Sequence, residues 1–154
     1  MSDTPHISGQ CLCGQVAIRI SAPPIVTMAC HCRGCQRLTS SAFSLSVAIP
    51  SEGFAVTQGE PVLGALHGPH RHYYCPNCMS WMFTRPAGMD WFVNVRTTML
   101  DDPAAFPPFI ETATDEKLPW VTTPAAHSFT AFPSMEDFPP LIAAYAAQRK
   151  GAAA

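Results

Sequence analysis

The stretch Cys30-His31-Cys32-Arg33-Gly34-Cys35 places three cysteines within six residues. Cys11 and Cys13 precede it with a C-x-C spacing, and Cys75 and Cys78 follow it with a C-x-x-C spacing. Thiolates are soft metal ligands, and such short spacings let a single turn supply two ligands to a tetrahedral zinc ion. The seven cysteines therefore predict metal binding, with zinc as the expected metal and two ions per chain.

The two distant cysteine pairs predict a closed, structural zinc site. Together they supply the four ligands that a tetrahedral zinc needs. Metal binding that closes a long loop contributes directly to folding, because no such site exists in the unfolded chain. The expected ligands of this structural zinc are Cys11, Cys13, Cys75 and Cys78.

The remaining group, Cys30, Cys32 and Cys35, predicts a zinc site with one open coordination position. Three protein ligands and an exchangeable fourth ligand are typical of catalytic zinc. His31 lies between two of these ligands, where alternation of side chains directs it away from the metal. In the alternative, His31 is the fourth ligand and the site is closed.

Other interpretations of the cysteines fit the sequence less well. Ordinary buried cysteines would not recur at ligand spacings, and a disulfide framework would leave one cysteine over and require an oxidising compartment. An iron–sulfur cluster could use four cysteines, but these spacings match neither common ferredoxin pattern.

Length and composition predict one mainly β domain over residues 1–154. Hydrophobic residues make up 47% of the chain, enough for a core, and sixteen prolines favour short strands and turns. Alternating or β-branched runs predict strands after the first glycine turn and at 43–49, 54–57, 72–74, 81–84 and 91–95. Helix is predicted around Cys35–Leu38 and at about 141–150, near the C-terminus.

Charge and hydropathy argue against two classes of partner. The net charge is −2 and no cluster of Lys and Arg occurs, so we expect no nucleic-acid binding. No apolar run reaches the roughly 18 residues of a membrane span, and the first residues lack the features of a signal peptide, so we expect a cytoplasmic protein with no membrane association.

Five motifs together resemble one known family. They are Gly9-Gln10-Cys11-Leu12-Cys13-Gly14, Cys30 to Thr39 (CHCRGCQRLT), Tyr74-Cys75-Pro76-Asn77-Cys78, Leu100-Asp101-Asp102-Pro103 and Leu118-Pro119-Trp120. Over residues 7–138 the chain looks like the glutathione-dependent formaldehyde-activating enzymes, a family that includes the centromere protein V type domain.

This resemblance implies a fold, an activity and site residues. The fold would be a β-tent of short strands around zinc sites. The activity would be that of a carbon–sulfur lyase that interconverts formaldehyde and glutathione, its co-substrate, with S-(hydroxymethyl)glutathione. The implied ligand sets are the same two that the spacings predict. Family members commonly have glycine where this chain has Ser40 and Met79.

Glutathione has two carboxylates, so basic side chains near the motifs are candidates to bind it. The candidates are Arg33, Arg37 and Arg71, with Arg85 as a further one; surface charge is the alternative for each. Two other readings of the whole chain stay open. One is a non-catalytic zinc module that binds a protein, because a fold does not determine function. The other is a lyase for a different thiol–aldehyde adduct.

Three further residues have predicted environments. We expect His70 and His72 to lie on the surface at a strand edge, with proton transfer near neutral pH as the alternative. Trp120 is expected in the core.

Overall fold

The computed structural model describes residues 6–152, and it confirms the predicted mainly β fold with a helix near the C-terminus. Three of the strands have only two or three residues, and a fourth is nearly all buried and shows no alternating pattern. The strands are β1 (Ile7–Gln10), β2 (Ala17–Ile20), β3 (Val26–Cys30), β4 (Ser44–Pro50), β5 (Phe54–Gln58), β6 (Val62–Leu63), β7 (Arg71–Tyr74), β8 (Trp81–Arg85), β9 (Phe92–Arg96), β10 (Ile110–Thr112) and β11 (His127–Ser128). The helices are α1 (Arg33–Thr39) and α2 (Phe138–Ala152).

The described residues divide into two compact units, each made of two chain segments. The first unit contains the described residues up to Pro24 together with Val47–Phe106. The second contains Ile25–Ser46 and the described residues from Pro107 onward. Strand β4 begins in the second unit and ends in the first. A single domain over residues 1–154 stays a prediction.

In the first unit, β1, β2 and β5 form an antiparallel sheet in that order. The alternation predicted from the sequence holds in β2, where Ile18 and Ile20 are buried and Arg19 is exposed. Period-two alternation suits a strand that buries one face and exposes the other. The turn between β1 and β2 contains Cys11 and Cys13.

The same unit contains an antiparallel run of strands in the order β9, β8, β7, β6. Its apolar side chains form the core of the unit with those of the small sheet. Phe83 is central: its ring lies 4.8 Å from the rings of both Phe54 and Tyr73. The buried residues of this core are Cys11, Val16, Ile18, Ile20, Val47, Ile49, Cys75, Met82, Phe83, Val93, Val95, Leu100 and Phe106.

In the second unit, β3 lies parallel to β10, which lies parallel to β11. Helix α1 follows β3 after two residues. Helix α2 buries Leu141 and Tyr145, one turn apart on the same face, and the Tyr145 ring lies 5.4 Å from that of Phe109. The rest of α2 is largely exposed, as expected for a helix with a single apolar contact stripe.

Among the described residues, three that are not glycine adopt a left-handed backbone that normally favours glycine, and one of them is Ala113, with φ 55°. Ser40, with φ 52°, ends α1, and Met79, with φ 59°, follows Cys78. These are the two positions at which members of the resembled family commonly have glycine. Both residues therefore adopt the backbone conformation that suits glycine, although their Cβ atoms make that conformation sterically unfavourable.

Candidate metal centres

The four-cysteine group is built from two turns of the first unit. In one turn, Gly14 has φ 79° and its N–H donates to the Cys11 carbonyl at 3.1 Å. In the other, the Met79 N–H donates to the Cys75 carbonyl at 3.0 Å. Each turn thereby brings its two thiols to the same side, and the two turns face each other.

The sulfur geometry of this group fits a zinc ion. The Sγ atoms of Cys11 and Cys13 are 3.6 Å apart, and those of Cys13 and Cys75 are 3.7 Å apart. All four Sγ atoms, including that of Cys78, lie within 4.8 Å of one another. A tetrahedral zinc with bonds of about 2.3 Å separates its sulfurs by about 3.8 Å. All seven cysteines are free, so no disulfide framework forms.

Hydrogen bonds around the group stabilise thiolate ligands. The Val16 N–H donates to the Cys11 sulfur at 3.3 Å. The Ser80 hydroxyl lies 3.2 Å from the Cys78 sulfur and lowers the pKa of that thiol to about 5. A metal ligand must be deprotonated, so these donors favour the state that binds zinc.

The three-cysteine group lies in the second unit, where β3 passes into α1. Cys30 ends the strand, Cys32 is the N-cap of the helix, and Cys35 lies in its first turn. The Cys32 sulfur accepts a hydrogen bond of 3.3 Å from the Cys35 N–H. The three Sγ atoms lie within 4.8 Å of one another. The change from strand to helix therefore gathers thiols that one continuous strand would have spread apart.

These three thiols hydrogen-bond to one another, and the contacts change their pKa values. The Cys35 side chain hydrogen-bonds to Cys30 and lowers the pKa of the Cys30 thiol to about 5, with the Thr112 side chain also contributing. The same contact, together with burial, raises the pKa of Cys35. Thr112 lies beside Cys30 in the parallel register of β10 and β3.

His31 does not join the three-cysteine group. Its side chain is fully buried, and its Nε2 lies 2.9 Å from Oε2 of Glu111. The Phe43 ring contacts the imidazole edge-to-face at 5.4 Å. Within residues 6–152, no fourth His, Cys, Asp or Glu donor atom completes this group. His31 therefore lies outside the set of three thiols.

Glu111 is a residue of this region that the sequence did not reveal. Besides His31, its carboxylate accepts hydrogen bonds from Lys117, Thr123 and Ser128. Burial raises the pKa of Glu111, but the hydrogen bonds from Ser128, Thr123, Lys117 and His31 outweigh burial and lower it to about 2. In the sequence, the sign of a special role for Glu111 was a charged residue directly after the apolar Ile110. Its partners, however, are up to 80 residues away.

The candidate arginines divide between the two units. Arg33 and Arg37 are exposed on α1, the helix that contains Cys35 and has Cys32 as its N-cap. Arg71 lies in the first unit, where it pairs with Asp90 at 3.1 Å. Arg85, also in the first unit, lies over the rings of Phe54 and Phe83.

Two predicted environments were wrong. His72 is buried, at 4% exposure, because its ring packs against Trp81 and its Nδ1 lies 2.7 Å from the Thr84 hydroxyl. Burial is the main cause that lowers the pKa of His72 to about 4. Trp120 is 74% exposed, because it lies in a tight turn in which the Val121 N–H donates to the Leu118 carbonyl.

Comparison with known proteins places the chain in a family. The sequence model described as glutathione-dependent formaldehyde-activating enzyme matches residues 6–116, which include all seven cysteines. The chain belongs to this family. The match confirms the family resemblance and includes four of the five motifs, since Leu118-Pro119-Trp120 lies beyond it. Family membership fits two cysteine groups that could hold zinc.

Solved structures support the fold. The crystal structure of a Rhodobacter sphaeroides protein, a structural genomics target, is similar with a TM-score of 0.52 at 18% sequence identity. The similarity covers 61% of this chain and 87% of the other. No curated protein matched the sequence. Across residues 6–152, every helix is too short or too polar to cross a bilayer.

Proposed function

We propose that this chain is a zinc-dependent carbon–sulfur lyase that interconverts a thiol and an aldehyde with their adduct. Glutathione and formaldehyde are the proposed thiol and aldehyde, and S-(hydroxymethyl)glutathione is the adduct. One observation carries the proposal: three thiols gather at a strand-to-helix junction, and residues 6–152 place no fourth His, Cys, Asp or Glu donor atom with them. Family membership supports the same chemistry.

The donor set indicates which chemistry the site supports. Three thiolates leave zinc with a formal charge of −1, so bound water is less acidic than at sites with neutral histidines, where its pKa is about 7. Hydrolysis by a metal hydroxide is therefore disfavoured. A zinc ion held by Cys30, Cys32 and Cys35 would instead supply a Lewis acid with one exchangeable position for a soft thiol or a carbonyl oxygen.

The proposed reaction balances without a further reactant. In the adduct-forming direction, the thiol sulfur forms a bond to the carbonyl carbon, and the thiol proton passes to the carbonyl oxygen. In the reverse direction the carbon–sulfur bond breaks and the same proton returns to sulfur. Nothing is oxidised or reduced.

The chain's own residues would position the metal and the thiol substrate. The Cys35 N–H holds the Cys32 sulfur at the start of α1, which fixes the thiols relative to the helix. Arg33 and Arg37, exposed on that helix, are proposed to bind the carboxylates of glutathione. Arg71 is a weaker candidate, because it forms an ion pair with the carboxylate of Asp90, whereas the Arg33 guanidinium donates to the neutral side chain of Gln36. The four-cysteine group is proposed to hold a structural zinc.

Zinc content per chain tests the proposal. We expect two zinc ions in the wild type and about one in Cys32→Ser, which should still fold because the four-cysteine group is in the other unit. Exchange between formaldehyde and its glutathione adduct, followed by NMR with ¹³C-formaldehyde, should be accelerated by the wild type only. A wild type with one zinc, or equal acceleration by Cys32→Ser, would refute the lyase proposal.

The thiol can be tested separately. Arg33→Gln with Arg37→Gln should raise the KM for glutathione and leave the KM for the uncharged 2-mercaptoethanol unchanged. Arg19→Gln is the matched control, since Arg19 is an exposed arginine of the other unit. An unchanged KM for glutathione in the double variant would exclude these arginines and point to a different thiol.

A further inference from the structure

The buried Glu111 carboxylate is the meeting point of four side chains from separate segments. Oε2 accepts from His31 at 2.9 Å and from Thr123 at 2.8 Å, and Oε1 accepts from Ser128 at 2.7 Å. Lys117 donates to both oxygens, at 3.2 and 3.1 Å. A carboxylate that is 7% exposed is costly to bury unless its acceptor sites are filled, and here they are.

One of these four side chains, His31, belongs to the same chain segment as the three-cysteine group. His31 separates Cys30 from Cys32, and its backbone is held at both ends. The His31 N–H donates to the Thr112 carbonyl at 3.0 Å, and the Gln36 side chain donates to the His31 carbonyl at 2.7 Å. With the imidazole bound to Glu111, this residue is fixed at three points.

We infer that Glu111 is a positioning residue for the three-cysteine zinc site. By holding His31 on the far side of the chain, it sets the direction in which Cys30 and Cys32 present their sulfurs. It also keeps an imidazole, a good zinc ligand, away from the metal, so that the fourth position stays open for substrate. This inference rests on the proposed zinc occupancy of the site.

The burial of His31 makes Glu111 hard to replace. The imidazole is fully buried, and its Nδ1 has no hydrogen-bond partner among the described residues. Glu111 is therefore the side chain that satisfies the ring. Without it, Nε2 would also be buried and unpaired, and its lost hydration would no longer be compensated by a hydrogen bond. The loop that carries the thiols would have to move to relieve that cost.

Zinc affinity measured site by site tests the inference. Competition with a chromophoric chelator should show that Glu111→Gln and His31→Phe each weaken the three-cysteine site about 10-fold or more, the range found for outer-shell partners of metal ligands. The four-cysteine site should hold its zinc in both variants. Because the two residues act through one contact, the double variant should lose no more affinity than either single variant.

Two matched variants separate positioning from general packing. His31→Gln can place an amide donor near the position of Nε2, so it should keep most of the affinity. Ser128→Ala removes one hydrogen bond from Oε1 and leaves His31 in place, so its affinity should change less than threefold. Cobalt-substituted protein should report the ligand set, with a visible spectrum that shifts on thiol addition in the wild type.

The outcomes distinguish this inference from the proposed function. A wild type that binds only one zinc would refute the proposed function. A wild type that binds two, beside a folded Glu111→Gln that holds both as tightly, would overturn the positioning role alone. Equal weakening of both sites, or additive losses in the double variant, would also overturn it, because either result indicates general destabilisation.

Discussion

Acidification should destabilise this protein through one buried histidine. His72 is 4% exposed, and its Nδ1 lies 2.7 Å from the Thr84 hydroxyl. The Trp81 indole N–H donates to the same oxygen at 3.2 Å, which leaves the Thr84 proton for Nδ1. Nε2 has no hydrogen-bond partner in the described residues. A second proton on this ring would be buried without compensation.

The size of the effect follows from the two pKa values. The pKa of His72 is about 4 in the folded chain, against 6.5 for an ordinary histidine. Because the unfolded state binds the proton more tightly, stability is complete above pH 6.5 and falls as the pH drops toward 4. By linkage, the free energy of unfolding should fall by about 1.3 kcal/mol between pH 7.5 and pH 5.5.

Urea unfolding of the zinc-loaded chain at these two pH values measures the effect. His72→Asn cannot titrate but keeps a polar atom near Nδ1, so its loss between the two pH values should be smaller by about 1.3 kcal/mol. The matched control, His70→Asn, removes an exposed histidine of the same segment and should behave as the wild type. An equal pH dependence in the wild type and His72→Asn would refute the reasoning.

Three other substitutions have defined outcomes. Met79→Gly should raise the free energy of unfolding by about 0.5–1 kcal/mol, because it relieves the left-handed strain of an exposed residue. The control, Met79→Ala, should leave the free energy of unfolding unchanged. A destabilised Met79→Gly would contradict this reasoning. Gly9→Ala should destabilise by about 1–3 kcal/mol in chemical denaturation, because its Cβ would lie 2.4 Å from the Met99 carbonyl oxygen; unchanged stability would show that β1 can shift there. Cys78→Ser should cost the structural zinc and cooperative unfolding, seen by calorimetry, whereas a cooperative transition with one zinc lost would show that this zinc is dispensable for folding.

Much of the fold was predictable from local patterns. The alternation around Ile18 and in β4 predicted strands, and alanine content with a basic end predicted α2. Strand β3 was missed because its residues are nearly all buried, so no alternation marks it. Strands β6, β10 and β11 have two or three residues, too few for any period to appear.

The metal groups were predictable because ligand spacing is a local property. Cysteines two or three residues apart must lie close together whatever the fold does, so spacing predicted the three-cysteine group and each of the two other pairs. That those two pairs meet followed from the four ligands that a closed zinc site needs. The bond between His31 and Glu111 joins residues 80 positions apart, and no local pattern encodes such a pairing. Burial of His72 and exposure of Trp120 depend likewise on distant packing.

The separation of the cysteine pairs along the chain has a consequence for biosynthesis. The three-cysteine group is complete once Cys35 has been made, but Cys13 must wait for Cys75, 62 residues later. A nascent chain of intermediate length therefore presents five thiols with only one finished site, and zinc can join Cys11 and Cys13 to the wrong partners. Early pairing of β1 with β2 would fix the turn that carries Cys11 and Cys13 before Cys75 has been made.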